Sequence, residues 1–235
     1  MNFQIPEHLL QSGDRKSTFQ GIRDWMQNEH ATPPALGNCG IPTGCQALDE
    51  LLGGGYPKGK ITEIVESVPS RGAQSLIHQA LENARQDLGY LALVDAYHQF
   101  DPESSSPQAL KSLLWIRCPR PEDASKACDI LLRDDHFPLM ILDLRNSGIH
   151  QLHRFTPQSW YRLQRVSEQS QTAFLIFTSQ SLVPCAYHRF QCSTTLPISM
   201  LDSTNTAPPQ ILEFDILKRR VTNEVSATEL RTAQG

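Results

Sequence analysis

The stretch Ile41–Val65, with the sequence IPTGCQALDELLGGGYPKGKITEIV, decides the fold that we expect for this chain. Its first part predicts a helix over Cys45–Leu52 that ends at the glycines Gly53–Gly55. Its last part, Ile61–Val65, predicts a strand that leads into a polar loop. A second helix is expected to follow, from about Gln74 to Asp87. The stretch therefore contains the first strand of an alternating strand and helix pattern.

The rest of the chain continues this alternation. Apolar runs predict further strands, and amphipathic segments between them predict further helices. The strands are Tyr90–Asp95, Trp115–Cys118, Pro138–Leu144, Ala173–Thr178, Thr194–Met200 and Ile211–Lys218, and the helices are Glu122–Arg133 and Pro157–Ser170. This order predicts an α/β fold with a mostly parallel central sheet and helices on both faces.

Length and composition are those of an ordinary globular protein. The chain has 235 residues, of which 39% are hydrophobic and 20% are charged, and its net charge is −4. It contains no run of about 18 apolar residues that predicts a membrane span. The first residues lack the basic and apolar stretches of a secretory signal, so a cytoplasmic location is expected. The negative charge disfavours a broad surface that coats nucleic acid but leaves room for a local basic loop.

We expect three segments along the chain: an N-terminal helix and linker at 1–38, a core domain at 39–220 and a flexible C-terminal tail at 221–235. In the first segment, Ser17 or Thr18 is a suitable helix cap. The helix is expected to place four apolar residues on one face: Phe19, Ile22, Trp25 and Met26. That face suits docking on a partner or packing on the core domain, and the spacing alone leaves both alternatives open.

The cysteines do not indicate a metal site. No two of the six cysteines form a Cys-x-x-Cys pair, and the eight histidines do not cluster beside them. Structural zinc sites normally require such pairs. We therefore expect reduced thiols, no bound metal and no cofactor.

Polar residues follow four of the predicted strands, at the edge of a parallel sheet where ligands bind. The order IPTGCQALDELLGGGYPKGKITEI, LVDAYHQFDP, PLMILDL and AFLIFTSQ resembles the core of the RecA recombinases. The resemblance covers roughly residues 39–220. It implies a P-loop NTPase fold in which these segments carry the phosphate loop, the catalytic glutamate, the Walker B strand and the nucleotide-sensing strand end.

The phosphate loop departs from the form G-x-x-x-x-G-K-[ST] that this resemblance implies. An acidic residue stands at the first glycine position, a proline removes one backbone donor, and no lysine stands where the resemblance places it. The residues concerned are Glu66, Pro69, Ser70, Arg71, Gly72 and Ala73, with Gly72 or Ala73 at the lysine position. Loss of a charge-assisted contact worth about 1.5–3 kcal/mol makes triphosphate binding of the usual kind improbable.

The catalytic segment departs independently. The recombinase pattern Asp-Ala-Glu-His appears here as Asp95–His98, with Tyr97 at the glutamate position. A neutral phenol is no general base near pH 7, and loss of such a base costs about 10²–10⁴ in rate. Asp143 keeps the Walker B position and Gln180 the sensing position. The sequence therefore predicts a protein without catalytic residues, a pseudo-ATPase rather than an enzyme.

By the same resemblance, the loops after the last two of these strands are candidates for contact with single-stranded DNA or a partner. Both combine cations with aromatic side chains, which suits phosphate contact and base stacking. The first, residues 145–156, and the second, residues 181–192, contribute Arg145, His153, Arg154, Tyr187, His188, Arg189 and Phe190. A solvated loop is the alternative.

Within the RecA-like proteins, the segments LLWIRC and WYRLQR resemble the ImuA family of accessory proteins in bacterial mutagenic repair. That resemblance implies a non-catalytic scaffold of DNA-damage-induced translesion synthesis, part of the SOS response. Its implied partners are an ImuB-like Y-family polymerase homologue and RecA. A SulA-like inhibitor of cell division is one alternative. The other is an atypical ATPase that binds single-stranded DNA and uses Arg71, Ser70 or Ser75, and Asp143.

Overall fold

The structure is a computed structural model that describes residues 40–134, 136–148, 152, 154–194 and 212–219. The predicted partner helix with Phe19, Ile22, Trp25 and Met26 lies outside these residues, as do the predicted tail and most of the predicted strand Thr194–Met200. The description therefore concerns the predicted core domain.

The described chain forms an α/β domain around one seven-stranded sheet. The helices are α1 (Gln46–Leu52), α2 (Ala73–Asn83), α3 (Pro121–Leu132) and α4 (Pro157–Ser170). The strands are β1 (Ile61–Val65), β2 (Leu91–Ala96), β3 (Leu113–Cys118), β4 (Leu139–Asp143), β5 (Ala173–Thr178), β6 (His188–Cys192) and β7 (Phe214–Arg219). Short 3₁₀ turns at Pro102–Ser104 and Ala109–Ser112 connect β2 to β3.

The strand order across the sheet is β3-β2-β4-β5-β1-β6-β7. The pairings from β3 to β6 are all parallel, and only β7 runs antiparallel to its neighbour β6. The predicted fold class, a mostly parallel α/β sheet, is confirmed. Since parallel strands end at the same edge, the segments after β1, β2, β4 and β5 meet there.

Two apolar cores cover the two faces of the sheet. In β4, Leu139 and Ile141 pack under α1 and α2, whereas Met140 and Leu142 pack under α3 and α4. This alternation follows from the two-residue period of a strand. Because both faces are covered, the central strands are apolar throughout, which is why the sequence located them well.

Local sequence fixes the helix ends. Helix α4 begins where Thr156 Oγ1 accepts a hydrogen bond from the backbone N–H of Ser159 at 3.3 Å, with Pro157 in the first turn. The predicted helix from Gln74 to Asp87 differs in detail: α2 begins at Ala73 and is followed by a π-helical turn over Ala84–Leu88. Gly89 closes that turn through an N–H donated to the carbonyl of Ala84 at 3.0 Å.

Candidate functional site

The loop of residues 66–72, which connects β1 to α2, holds a carboxylate of its own. Glu66 Oε1 accepts hydrogen bonds from the backbone N–H groups of Arg71 at 2.9 Å and Ala73 at 3.1 Å. Ala73 is the first residue of α2, so the carboxylate lies at the positive end of a helix dipole. Backbone N–H groups at such a helix end are a ready site for an anion. Here the anion is a side chain of the protein.

Gly72 makes this loop geometry possible. Its φ of 109° lies in the left-handed region, where L side chains are strained. A Cβ at this position would also lie 2.6 Å from Leu212 Cδ2. Both the backbone angle and the close approach therefore favour glycine immediately before α2.

Arg145 joins the loop to the end of β4. Its Nη1 donates to Glu66 Oε2 at 3.1 Å, its Nη2 donates to Asp143 Oδ2 at 2.6 Å, and its Nε donates to Asp143 Oδ1 at 3.0 Å. A further bond runs from Nη2 to Gln74 Oε1 at 2.9 Å. One guanidinium thus binds two carboxylates and an amide, and we call Glu66, Gln74, Asp143 and Arg145 the buried cluster.

The charges of the buried cluster compensate one another away from water. Glu66 and Arg145 are each 8% exposed, and Asp143 is fully buried. Burial raises the pKa of Asp143, against the opposing effect of the hydrogen bonds from Arg145. Burial alone would lower the pKa of Arg145, but the hydrogen bonds and charges of Asp143 and Glu66 outweigh it and raise the pKa. The guanidinium therefore stays charged and is bound to Glu66, Gln74 and Asp143.

Arg71, the cation of the loop, turns its side chain away from the buried cluster. Its Nη1 donates to the carbonyl oxygens of Thr194 at 3.3 Å and Ser193 at 3.5 Å, just beyond β6. Its backbone N–H, rather than its charge, contacts Glu66. Ser70, beside it, is exposed and has a φ of 65°. Neither side chain takes part in the buried cluster.

Asp95 and Tyr97 lie at the end of β2, where the resemblance places catalytic residues. Asp95 is fully buried and accepts hydrogen bonds from the backbone N–H groups of Gln99 and Phe100 and from Trp115 Nε1. Tyr97 packs against the core under α3 and α4. Burial raises the pKa of Tyr97, so its phenol stays protonated near pH 7. A protonated phenol does not accept the proton of an attacking water.

Gln180, which the resemblance places at the nucleotide-sensing position, is exposed at the end of β5. Within the described ranges, no group of three or more His, Cys, Asp or Glu side chains is arranged to hold a metal ion. None of the described helices is long and apolar enough to cross a membrane. The carboxylates of Glu66, Asp95 and Asp143 at this edge of the sheet are held by hydrogen bonds from the protein itself.

The second predicted loop, residues 181–192, requires a correction. Residues His188–Cys192 form β6 and pair with β1 and β7. His188 and Phe190 are buried, while Tyr187 is half-buried with its ring packed edge-on against His188. Arg189 pairs with the fully buried Glu63 of β1. The loop prediction was wrong for β6, because the alternating polar and apolar residues of a partly buried strand resemble those of a basic, aromatic loop.

The first predicted loop also differs from the prediction. Arg145 belongs to the buried cluster and presents no free guanidinium to a ligand. Arg154 is exposed and forms an ion pair with Glu122 of α3. His153 lies outside the described residues. Among the described members of this loop, only Arg154 keeps an exposed charge.

The sequence analysis did not identify Glu63 of β1 as a buried carboxylate with partners in other segments. Its Oε1 accepts hydrogen bonds from the backbone N–H groups of Leu182 at 2.7 Å and Val183 at 3.2 Å, and its Oε2 pairs with Arg189. An isolated charge inside the apolar strand ITEIV was the available signal. Buried charges are normally paired, so a partner elsewhere in the chain was to be expected.

Comparisons with known proteins agree with this architecture. Residues 36–148 match the model of the RecA N-terminal domain. The matched region, which contains β1 to β4, is RecA-like. The RecA proteins of Clavibacter michiganensis subsp. michiganensis and Cutibacterium acnes are each 37% identical to it over 106 residues, and that of Streptomyces coelicolor is 35% identical over 106 residues. Each match covers 44% of this chain but only 28–30% of the relative.

A series of hydrogen bonds extends from the buried cluster to His78 of α2. Arginine only donates, so Gln74 turns its carbonyl oxygen to Arg145 and its amide nitrogen to His78 Nε2, at 2.9 Å. His78 Nε2 must then accept, which leaves the proton on Nδ1, 2.5 Å from Ser105 Oγ. The geometry requires a neutral imidazole with one defined tautomer.

Acidification is expected to destabilise the domain through His78. Burial lowers the pKa of His78 from 6.5, despite the charges of Asp101 and Glu82. Below pH 6.5, His78 binds a proton in the unfolded chain, whereas burial disfavours its protonation in the folded chain. The free energy of unfolding should therefore fall by up to about 1.4 kcal/mol per pH unit. Urea unfolding at pH 7.5, 6.5 and 5.5 measures this, and His78→Gln should flatten the dependence whereas the exposed His98→Gln should not. Equal slopes for all three proteins would contradict the assignment.

Proposed function

We propose that this chain is a RecA-like accessory protein of DNA repair that does not hydrolyse ATP and acts by binding other proteins. One observation carries the proposal: Glu66 takes the backbone N–H groups at the start of α2 that an anionic ligand would need. Arg145, the cation nearest to that carboxylate, is committed to Glu66 and Asp143. A phosphate group would have to displace the carboxylate of Glu66, which is part of the chain itself.

Electrostatics favour the same conclusion. The buried cluster contains the carboxylates of Glu66 and Asp143 and the single guanidinium of Arg145, so it is already anionic. A triphosphate would add negative charge beside Glu66, where charges interact strongly because water is largely absent. Separating Arg145 from its partners would leave buried charges unpaired, which costs several kcal/mol. The site therefore disfavours nucleotide binding, whether Glu66 and Arg145 stay paired or are separated by the ligand.

More specifically, we place the chain with the ImuA-type accessory proteins of translesion synthesis, acting in the cytoplasm with an ImuB-like Y-family polymerase homologue and with RecA. The segments LLWIRC, which forms β3, and WYRLQR, which lies in α4, support this assignment. Single-stranded DNA is not part of the proposal. Arg145 and Arg189, two cations predicted for its binding, are both held in ion pairs inside the domain.

The proposal predicts no thermal stabilisation by nucleotide. A ligand at 100 times its dissociation constant adds about 2.7 kcal/mol to the free energy of unfolding, which is several degrees in melting temperature. We expect 5 mM ATP with Mg²⁺ to shift the melting temperature by less than about 1 °C. A RecA recombinase treated identically serves as the positive control.

Turnover provides the second readout. We expect no ATP hydrolysis above that of Asp143→Asn, because neither Tyr97 nor the buried cluster activates water. Hydrolysis by the purified protein that disappears in Asp143→Asn would overturn the proposal in favour of an atypical ATPase. Co-purification with the ImuB-like polymerase homologue, when the two are produced together, tests the accessory role separately.

A further inference from the structure

Two large apolar side chains are exposed on the outer surface of α3 and α4. Tyr161 of α4 is 55% exposed and Ile130 of α3 is 38% exposed. Each stands one residue away from a member of the ion pair between Arg162 and Asp129, which joins the two helices. Because Arg162 and Asp129 pair across the two helices, Ile130 and Tyr161 lie on neighbouring helices, close to the ion pair that joins them.

Basic residues surround these apolar side chains. On α3, Lys126 lies four residues before Ile130 and Arg133 three residues after it, so all three share a face. On α4, Arg165 lies four residues after Tyr161 and shares its face, and Arg162 reaches across to Asp129 of α3. We call this surface the α3–α4 face, and its members are Lys126, Ile130, Arg133, Tyr161, Arg162 and Arg165.

Asp129 orders part of the α3–α4 face. Its carboxylate pairs with Arg133 Nη2 at 3.2 Å and with Arg162 Nη2 at 2.5 Å, while Arg162 Nε donates at 2.8 Å. Burial opposes ionisation of Asp129, but the hydrogen bonds from Arg162 and Arg133 outweigh it and lower its pKa. The two guanidinium groups, 65% and 53% exposed as side chains, are thereby held in place before any partner arrives.

The charge of the α3–α4 face is opposite to that of the chain. Four cations and the carboxylate of Asp129 give it a charge of +3, whereas the whole chain carries −4. Adding the neighbouring pair of Arg120 and Asp123 leaves this value unchanged. A positive surface on a negative protein selects an acidic partner.

The chemistry of the face favours a protein over a nucleic acid. Tyrosine and arginine are enriched at protein interfaces and at their energetic hot spots. Ile130, near the ion pair that joins the helices, has nothing to offer a phosphodiester but can bury against an apolar side chain.

We propose that the α3–α4 face binds an acidic amphipathic segment of a partner protein. Carboxylates of that segment pair with Arg133, Arg162 and Arg165, and an aliphatic or aromatic side chain packs on Ile130 and Tyr161. The proposal uses none of the residues of the buried cluster, so it stands or falls independently of the proposed lack of ATP hydrolysis. It adds the chemical class of a partner to the proposed accessory role.

A designed peptide tests the proposal. The probe is a fluorescein-labelled 20-residue helix with glutamate and aspartate on one face and leucine and phenylalanine on the other, measured by fluorescence anisotropy at about 50 mM salt. Arg165→Glu should weaken its binding at least tenfold, and Tyr161→Ala several-fold. Lys111→Glu, an equal change in charge at an exposed residue of the 3₁₀ turn before β3, should change it less than twofold.

Each other outcome decides against the proposal. Equal weakening by Arg165→Glu and Lys111→Glu would mean attraction by net charge alone. No binding of the peptide to the unmodified protein would also overturn it. A labelled 20-nucleotide oligothymidylate that binds the protein more tightly than the peptide does, and binds Arg165→Glu more weakly, would assign the face to nucleic acid. Melting temperatures of the variants, expected within about 2 °C of the unmodified protein, exclude unfolding as the cause.

Discussion

Replacing Arg145 with methionine is expected to lower the free energy of unfolding by about 3–5 kcal/mol. The substitution removes the only side chain that neutralises both Glu66 and Asp143 within the buried cluster. Asp143 is fully buried and Glu66 nearly so, so neither carboxylate gains water in exchange. Urea unfolding at pH 7, with the midpoint and slope fitted to a two-state transition, measures the loss.

Two controls separate this effect from the loss of a large side chain. Arg154→Met removes a comparable side chain from an exposed ion pair with Glu122 and should change stability little. The triple variant Glu66→Gln, Asp143→Asn, Arg145→Met removes all three charges and should recover at least half of the loss. If the single and triple variants were equally unstable, packing rather than unpaired charge would explain the effect, and the electrostatic account of the cluster would fail.

The sequence predicted the central strands well for a physical reason. β1 and β5 agree with the predicted segments, and β2 and β4 agree to within one residue at each end. Buried parallel strands are apolar on both faces, which gives a continuous signal. β6, with the sequence HRFQC, lacks such a continuous apolar run, because only every second residue of this strand is buried. It therefore resembled a basic loop.

The sequence identified residues of the candidate site but not their contacts. The absence of a lysine in the loop and the presence of Tyr97 were visible in the residues alone. That the carboxylate of Glu66 turns back onto Arg71 N and Ala73 N depends on the loop backbone, including the left-handed Gly72. The pairing of Arg145 with Glu66 joins positions 79 residues apart, which no local pattern specifies.

The pair of Glu63 and Arg189 is the second ionic link on which the sheet depends. Glu63 is fully buried in β1, and the side chain of Arg189 in β6 is 18% exposed. Arg189 also donates from Nη2 to the carbonyl of Val183 at 2.7 Å. The pair therefore connects two neighbouring strands and fixes the segment that leads from β5 to β6.

Replacing Arg189 with methionine is expected to cost about 3 kcal/mol of unfolding free energy, at the low end for a broken buried pair. Three donors to Glu63 remain, from Thr178 Oγ1 and the backbone N–H groups of Leu182 and Val183, and these limit the cost. Urea unfolding measures it, with Arg85→Met as the control at a surface pair, where less than about 1 kcal/mol is expected. The variant should also be cleaved sooner by trypsin at Lys218 and Arg219 of β7, the strand that pairs with β6.

The double variant Glu63→Gln, Arg189→Met tests whether the lost stability comes from an uncompensated buried charge. A neutral glutamine keeps an oxygen for the N–H groups of Leu182 and Val183 but leaves no buried charge uncompensated. We therefore expect the double variant to be more stable than Arg189→Met alone, by at least 1 kcal/mol of the roughly 3 kcal/mol lost. A double variant less stable than either single one would mean that the two side chains contribute through separate contacts. β6 would then be held by its apolar residues and ladder hydrogen bonds rather than by the ion pair.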